Sequence, residues 1–79
     1  MQKMIKIDLQ LFVTLFKYQP ENNEFLEIQE GTSVGKLILD LGIPKDLVKL
    51  IFVNGKRQKT VYELKNNDRL GLFPPVGGG

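Results

Sequence analysis

Leu72-Phe73-Pro74-Pro75-Val76-Gly77-Gly78-Gly79 is the stretch on which the reading of the fold turns. An apolar, strand-like run meets two consecutive prolines and then three glycines. Proline offers no N–H to a sheet ladder, so the pair ends a strand and holds the exit extended. Glycine has no Cβ, so it threads narrow channels in backbone conformations closed to other residues. Three extended residues span roughly 10 Å, enough to carry a terminal carboxylate clear of a folded body and into a second protein. Three glycines alone would suit a frayed end or a cloning scar. Directly behind Phe73-Pro74-Pro75-Val76 they read as a tail.

Outward from that tail, Arg69 to Phe73 is the last strand, entered through the turn residues Asn66-Asn67-Asp68. Val48 to Val53 is a further strand, too densely apolar for its two faces to be assigned, and Asn54-Gly55 after it is a tight-turn signal. A short strand is expected around Gln58 to Thr60, and one helical turn across Val61 to Leu64. At the other end, Ile5, Ile7, Leu9, Leu11, Val13 and Leu15 alternate with mostly polar residues, which predicts one long half-buried strand. Phe12 and Phe16 interrupt its polar face; either an overhanging loop covers them or they form a patch that meets a partner. Pro20-Glu21-Asn22-Asn23 is a turn by composition, and Phe25-Leu26-Glu27-Ile28 returns as the second strand of a hairpin that Gly31 ends. Thr32 or Ser33 then caps a helix whose Val34, Leu37, Ile38 and Leu41 form one apolar stripe, with Gly42 and Pro44 as stop signals. Two layers, a sheet and a helix lying on it, make an α+β domain.

The chain of 79 residues is one domain near the lower size limit for a self-sufficient core. It has no cysteine, so neither disulfides nor thiolate metal sites can hold it, and 42% hydrophobic residues must do so by packing. The absence of histidine removes the commonest general base and metal ligand. Asp40, Asp46, Glu63 and Asp68 lack metal-ligand spacing, the glutamates between Glu21 and Glu30 read as a solvated rim, and no glycine-rich phosphate loop is present. A net charge of +2 is too small to argue for nucleic acid. No apolar run approaches the ~20 residues of a membrane helix, and Asp8 and Gln10 break the N-terminal run that a secretory signal would need. The expectation is a soluble, cytoplasmic protein with no metal and no membrane.

Ile51-Phe52-Val53, Asn54-Gly55, Asn67-Asp68-Arg69-Leu70, Phe73-Pro74-Pro75-Val76 and the terminal glycines follow one another in a series. This series resembles the ubiquitin-like sulfur carriers, above all the small subunit of molybdopterin synthase and more loosely the thiamine-pathway carrier. The resemblance runs from Ile5 to Gly79 and is most specific in the tail. It implies a β-grasp fold: a mixed sheet with one main helix on one face, and the first and last strands as parallel neighbours in its middle. The domain would span residues 1–76, with residues 77–79 as a flexible C-terminal glycine tail.

The resemblance also implies a chemistry in which this chain is the substrate and has no catalytic residues of its own. A carboxylate is a poor acyl donor; adenylation by a partner enzyme using ATP makes it a mixed anhydride open to a sulfur nucleophile. Gly79 matches the reacting residue, Gly78 its sterically thin neighbour, and Gly77 is an additional glycine. No cofactor is bound, and ATP is used by the activating partner. The partners implied are that adenylating enzyme and the molybdopterin synthase large subunit or another sulfur acceptor. Phe12 and Phe73 match apolar positions that pack on such partners, and Pro74, Pro75 and Val76 continue that surface. A third apolar position of the family, shortly after the Asn-Gly turn, is here Arg57. Thiamine-pathway, tungsten-pathway and tRNA-thiolation carriers therefore stay open as alternatives, as does a protein modifier joined to lysines through Gly79. Lys56, Arg57 and Lys59 prompt a nucleic-acid-binding alternative, against which stands a charged turn that keeps a sheet edge soluble.

Overall fold

The computed structural model of the protein describes residues 3–21 and 23–75, so Asn22 of the expected turn and Val76 to Gly79 lie outside the described residues. Strand β1 (Met4–Leu11) buries Ile5, Ile7, Leu9 and Leu11 and turns Lys6, Asp8 and Gln10 to the other face, as its alternation predicts. It stops four residues before the expected end at Leu15. At Val13 the backbone enters the left-handed region, φ 55°, and Val13–Tyr18 winds into a 3-10 helix. Val13, expected on the buried face, is 71% exposed, and Leu15 returns to the core from the 3-10 helix. The Leu11 N–H is taken up by the Gln19 side-chain oxygen at 3.1 Å, which satisfies a donor without a further strand.

Strand β2 (Leu26–Gln29) pairs antiparallel with β1, Ile5 opposite Ile28. Phe25, expected within it, instead closes a short 3-10 turn, Asn23–Phe25, and is exposed. Helix α1 (Val34–Asp40) starts at Ser33, whose hydroxyl accepts the Lys36 N–H at 3.1 Å, and buries Val34, Leu37 and Ile38. At seven residues it is too short to persist alone. Burial against the sheet, worth about 1.5–3 kcal/mol for each large apolar side chain, is what holds it. Past the helix, Gly42 adopts φ +76° and Ile43 returns to the core.

Strand β3 (Leu50–Val53) begins two residues later than expected, after a 3-10 turn, Lys45–Leu47. Asn54 (φ 53°) and Gly55 (φ 84°) make the two-residue turn, both with positive φ as such a hairpin requires. Strand β4 is therefore Lys56–Arg57, with Lys56 opposite Val53, and not the Gln58 to Thr60 expected from composition. The helical turn expected over Val61 to Leu64 is absent. That segment runs past the start of α1: Thr60 O and Tyr62 O accept the N–H groups of Gly35 and Val34, both at 2.9 Å, and Glu63 bridges Ser33. Donors that a helix start cannot satisfy internally are met there.

Strand β5 (Arg69–Phe73) lies between β1 and β3 in a five-stranded sheet of order β2-β1-β5-β3-β4 among the described residues. It is parallel to β1, Asp8 opposite Arg69 and Leu11 opposite Leu72, and antiparallel to β3. Helix α1 covers one face, over Ile5, Ile7, Leu9, Leu11, Ile51, Val53, Leu70 and Leu72. This is the β-grasp arrangement that the resemblance implies, with the first and last strands central and parallel. No helix among the described residues is long and apolar enough to cross a membrane.

Candidate functional site

The sheet face opposite α1 has no layer of structure over it among the described residues. Register places its members: Gln10 lies beside Gly71, Phe52 beside Gly71 on the other side, Leu50 beside Phe73, and Arg57 beside Phe52. Paired residues share a face, so β1, β3, β4 and β5 all contribute to one surface. At its centre the Phe12 and Phe73 rings stack, centroids 4.3 Å apart and planes 3° from parallel. Phe52 meets Phe73 edge-on at 5.6 Å and 82°. The three rings border an open depression of about 350 Å³ that Gly71, Arg69 and Asn54 also line.

Backbone bonds fix this group where the sheet ends. Leu72 O accepts the Phe12 N–H at 3.2 Å and Phe73 O accepts the Lys49 N–H at 2.7 Å, so β5 is held on both sides up to its last residue. Phe12 can lie over β5 because Gly71 has no side chain. A Cβ there would stand 3.3 Å from Phe12 Cε2 and 3.7 Å from Phe73 Cε1, the first distance tighter than ordinary contact.

Of the residues expected to meet a partner, Phe12 is partly exposed and Phe73 half-buried, and the structure brings them together. Pro74 is buried and Pro75 exposed. Val76, Gly77, Gly78 and Gly79 lie outside the described residues. Among the described residues no overhanging loop covers Phe12 or Phe16; the former is shielded by Phe73, and the latter, 65% exposed, stands on the Val13–Tyr18 helix. Phe52 and Gly71 join the group without having been foreseen. A glycine inside a strand does signal close approach of another group, so Gly71 was legible; the face of Phe52 was not.

At the other end of β5, Asp68 is 6% exposed and anchors the turn that feeds the strand. Its carboxylate accepts from Asn54 Nδ2 at 2.9 Å, the Tyr62 hydroxyl at 3.0 Å and the Lys65 N–H at 2.8 Å. The Asn54 amide oxygen in turn accepts the Arg69 N–H at 2.9 Å, so one side chain ties the β3–β4 turn to the start of β5. Desolvation pushes the Tyr62 phenol above its ordinary value, helped by its hydrogen bond to Asp68 and by the charge of that carboxylate. Asn54 and Asp68, part of the recognisable series, thus serve the fold. Among the described residues no three histidine, cysteine or acidic side chains gather as a metal cluster.

Several solved structures share this arrangement. The solution structure of HVO 2177 from Haloferax volcanii matches with a TM-score of 0.75 and 19% identity, over 96% of this chain and 88% of that one. SAMP1 from Haloferax volcanii matches at 0.65 and 19% identity, over 94% of this chain and 99% of that one. A Pyrococcus furiosus protein described as molybdopterin converting factor, subunit 1, matches at 0.62 and 25% identity, over 91% of this chain and 99% of that one. No curated protein matches the sequence. The ThiS family model matches residues 9–79, nearly the whole chain with both the aromatic group and the glycine tail. The chain belongs to the ThiS family, the ubiquitin-like sulfur carriers.

Proposed function

We propose that this chain carries sulfur as a thiocarboxylate on Gly79, with molybdopterin synthesis as the receiving pathway. The Gly79 carboxylate attacks the α-phosphate of ATP on a partner enzyme and releases pyrophosphate. Hydrosulfide, as the sulfur nucleophile, then attacks the resulting acyl carbon; AMP leaves with the carbon–oxygen bonding pair, and loss of the S–H proton leaves the thiocarboxylate on Gly79. The chain is a co-substrate in these steps; it binds no cofactor, and the partner supplies the ATP site. Residues 1–76 form the body and residues 77–79 the reach into the partner's site. Phe12, Phe73, Pro75 and Val76 form the docking surface, with the buried Pro74 holding the exit of the strand behind it, and the setting is the cytoplasm.

The observation that carries this reading is family membership through a match that includes the glycine tail. The place of β5 supports it. A central strand paired on both sides ends at Phe73, stacked on Phe12, so whatever follows starts from a defined position and direction. The likeness to a molybdopterin converting factor subunit favours that pathway among those open to such carriers.

Arg57, where the carrier pattern is apolar, keeps a second reading in view: a modifier joined to lysines of other proteins through Gly79. Mass spectrometry of untagged protein from its own host separates the two. Replacement of one Gly79 oxygen by sulfur is the result expected of a carrier. Free acid together with lysine-linked adducts would establish the modifier. Free acid alone, even after incubation with ATP and the adenylating enzyme, would overturn both.

A further inference from the structure

The open face is basic along its β4 side, where Arg57 is paired in register with Phe52 of the aromatic group. Arg57 is exposed, lies directly opposite Phe52 across the β3–β4 ladder, and has no ion-pair partner among the described residues. Arg69, on the same face, is likewise unpaired among the described residues. Asp8, beside it in register, instead accepts a hydrogen bond from the Gln10 amide. Lys56 and Lys59 extend the positive charge past the β4 edge. At the opposite edge of the sheet, Glu27 lies in β2, with Glu24 and Glu30 beside it. Glu27 stands opposite Lys6 in register and Glu30 pairs with Lys3 at 3.7 Å, so the β2 edge is mixed in sign, whereas β4 itself is Lys56-Arg57.

We infer that Arg57 selects the partner that docks on this face. Its occupant is the adenylating enzyme, presenting an apolar pocket for Phe12, Phe52 and Phe73 bounded on the β4 side by carboxylates. This rests on the proposed function. Carrier and modifier alike begin with adenylation, so that enzyme must recognise the chain whichever product follows. An apolar residue after the Asn-Gly turn would extend the greasy patch and accept any apolar counterface. A guanidinium there accepts only a surface that offers a carboxylate and rejects one that would leave the charge unpaired. Positive charge at the β4 side also steers an acidic counterface toward it before contact.

The test is isothermal titration calorimetry of the full chain against the purified adenylating enzyme of the same host, at about 50 and 300 mM NaCl. The expected result is that Arg57→Glu weakens binding by roughly tenfold or more at low salt and flattens the salt dependence. Arg57→Leu weakens it less, and reversing the facing carboxylate of the enzyme to lysine rescues Arg57→Glu. Phe73→Ala weakens binding while leaving the salt dependence intact. Unchanged melting temperatures would exclude misfolding of these surface variants. If Phe73→Ala weakens binding but both Arg57 variants stay within about twofold of wild type, the Arg57 assignment falls and the docking face stands. If the wild-type chain fails to bind the enzyme at all, the proposed function falls with it. If Arg57→Glu spares enzyme binding but abolishes retention of a labelled single-stranded RNA of about 20 nucleotides, the basic edge is a nucleic-acid surface and the inference is overturned.

Discussion

Phe12 and Phe73 stack face to face across the ends of two parallel strands, 4.3 Å between centroids. They are 61 residues apart in sequence and come together because β5 inserts beside β1. Stacked aromatic pairs contribute about 0.5–1.5 kcal/mol beyond their buried area. A double-mutant cycle of Phe12→Ala and Phe73→Ala, read by chemical denaturation, is expected to give a coupling in that range. A coupling near zero would mean that the rings adjoin without holding each other.

Gly71→Ala separates stability from surface shape. Alanine in a strand recovers about 0.5–1 kcal/mol relative to glycine, while its Cβ pushes on the Phe12 ring from 3.3 Å. The ring edge can move, so net stability is expected to stay within about 1 kcal/mol of wild type. The Phe12–Phe73 coupling, measured in the Gly71→Ala background, is expected to vanish. Gly71→Val exceeds what a ring shift can accommodate and should destabilise the sheet outright.

Val13 is a β-branched residue at φ 55° and is 71% exposed, so its side chain gains little from burial in return for the strained backbone. Left-handed backbone at such a residue costs of order 1–3 kcal/mol. Val13→Gly is expected to stabilise the fold by about 1 kcal/mol, after the greater chain entropy of glycine is set against the relieved strain. Thermal denaturation checks this, and a lower melting temperature would contradict it.

Asp68→Ala leaves three donors without their acceptor: Asn54 Nδ2, the Tyr62 hydroxyl and the Lys65 N–H. The expected cost is about 2–4 kcal/mol, read by urea denaturation.

The same network makes stability fall in base. Tyr62 has a folded-state value above the unfolded value of about 10. The unfolded chain therefore releases the phenolic proton first. The stability it contributes is whole below pH ~10 and is lost as pH rises through the folded value. The readout is the difference between wild type and Tyr62→Phe, whose stability should fall less steeply above pH ~10.

Period-two alternation made β1 legible, and it misled past Leu11 because Leu15 is buried from a 3-10 helix at a position that strand parity also assigns to the core. Phe12 and Phe16, which break the polar face, mark the change. The Asn54-Gly55 turn contained the position of β4, since a two-residue hairpin loop requires the return strand to begin at the next residue, Lys56. The segment over residues 60–64 was opaque for a different reason: its partners are backbone groups at the start of α1, nearly thirty positions earlier, and carry no side-chain signature. At the site, Phe12 and Phe73 were legible through family resemblance. Phe52 sat within Leu50-Ile51-Phe52-Val53, where every residue is apolar, so only the ladder assigns its face.

The insertion of β5 between β1 and β3 also bears on how the molecule is made. A ribosome delivers residues 69–73 late, yet they form the strand that joins the two halves of the sheet. Until Phe73 has emerged, β1 and β3 have no shared neighbour, and the nascent chain cannot close its core. Premature termination before this strand yields fragments without the completed sheet, open to proteolytic clearance. Completion of the sheet therefore waits on residue 73, the last of the strand that leads into the tail.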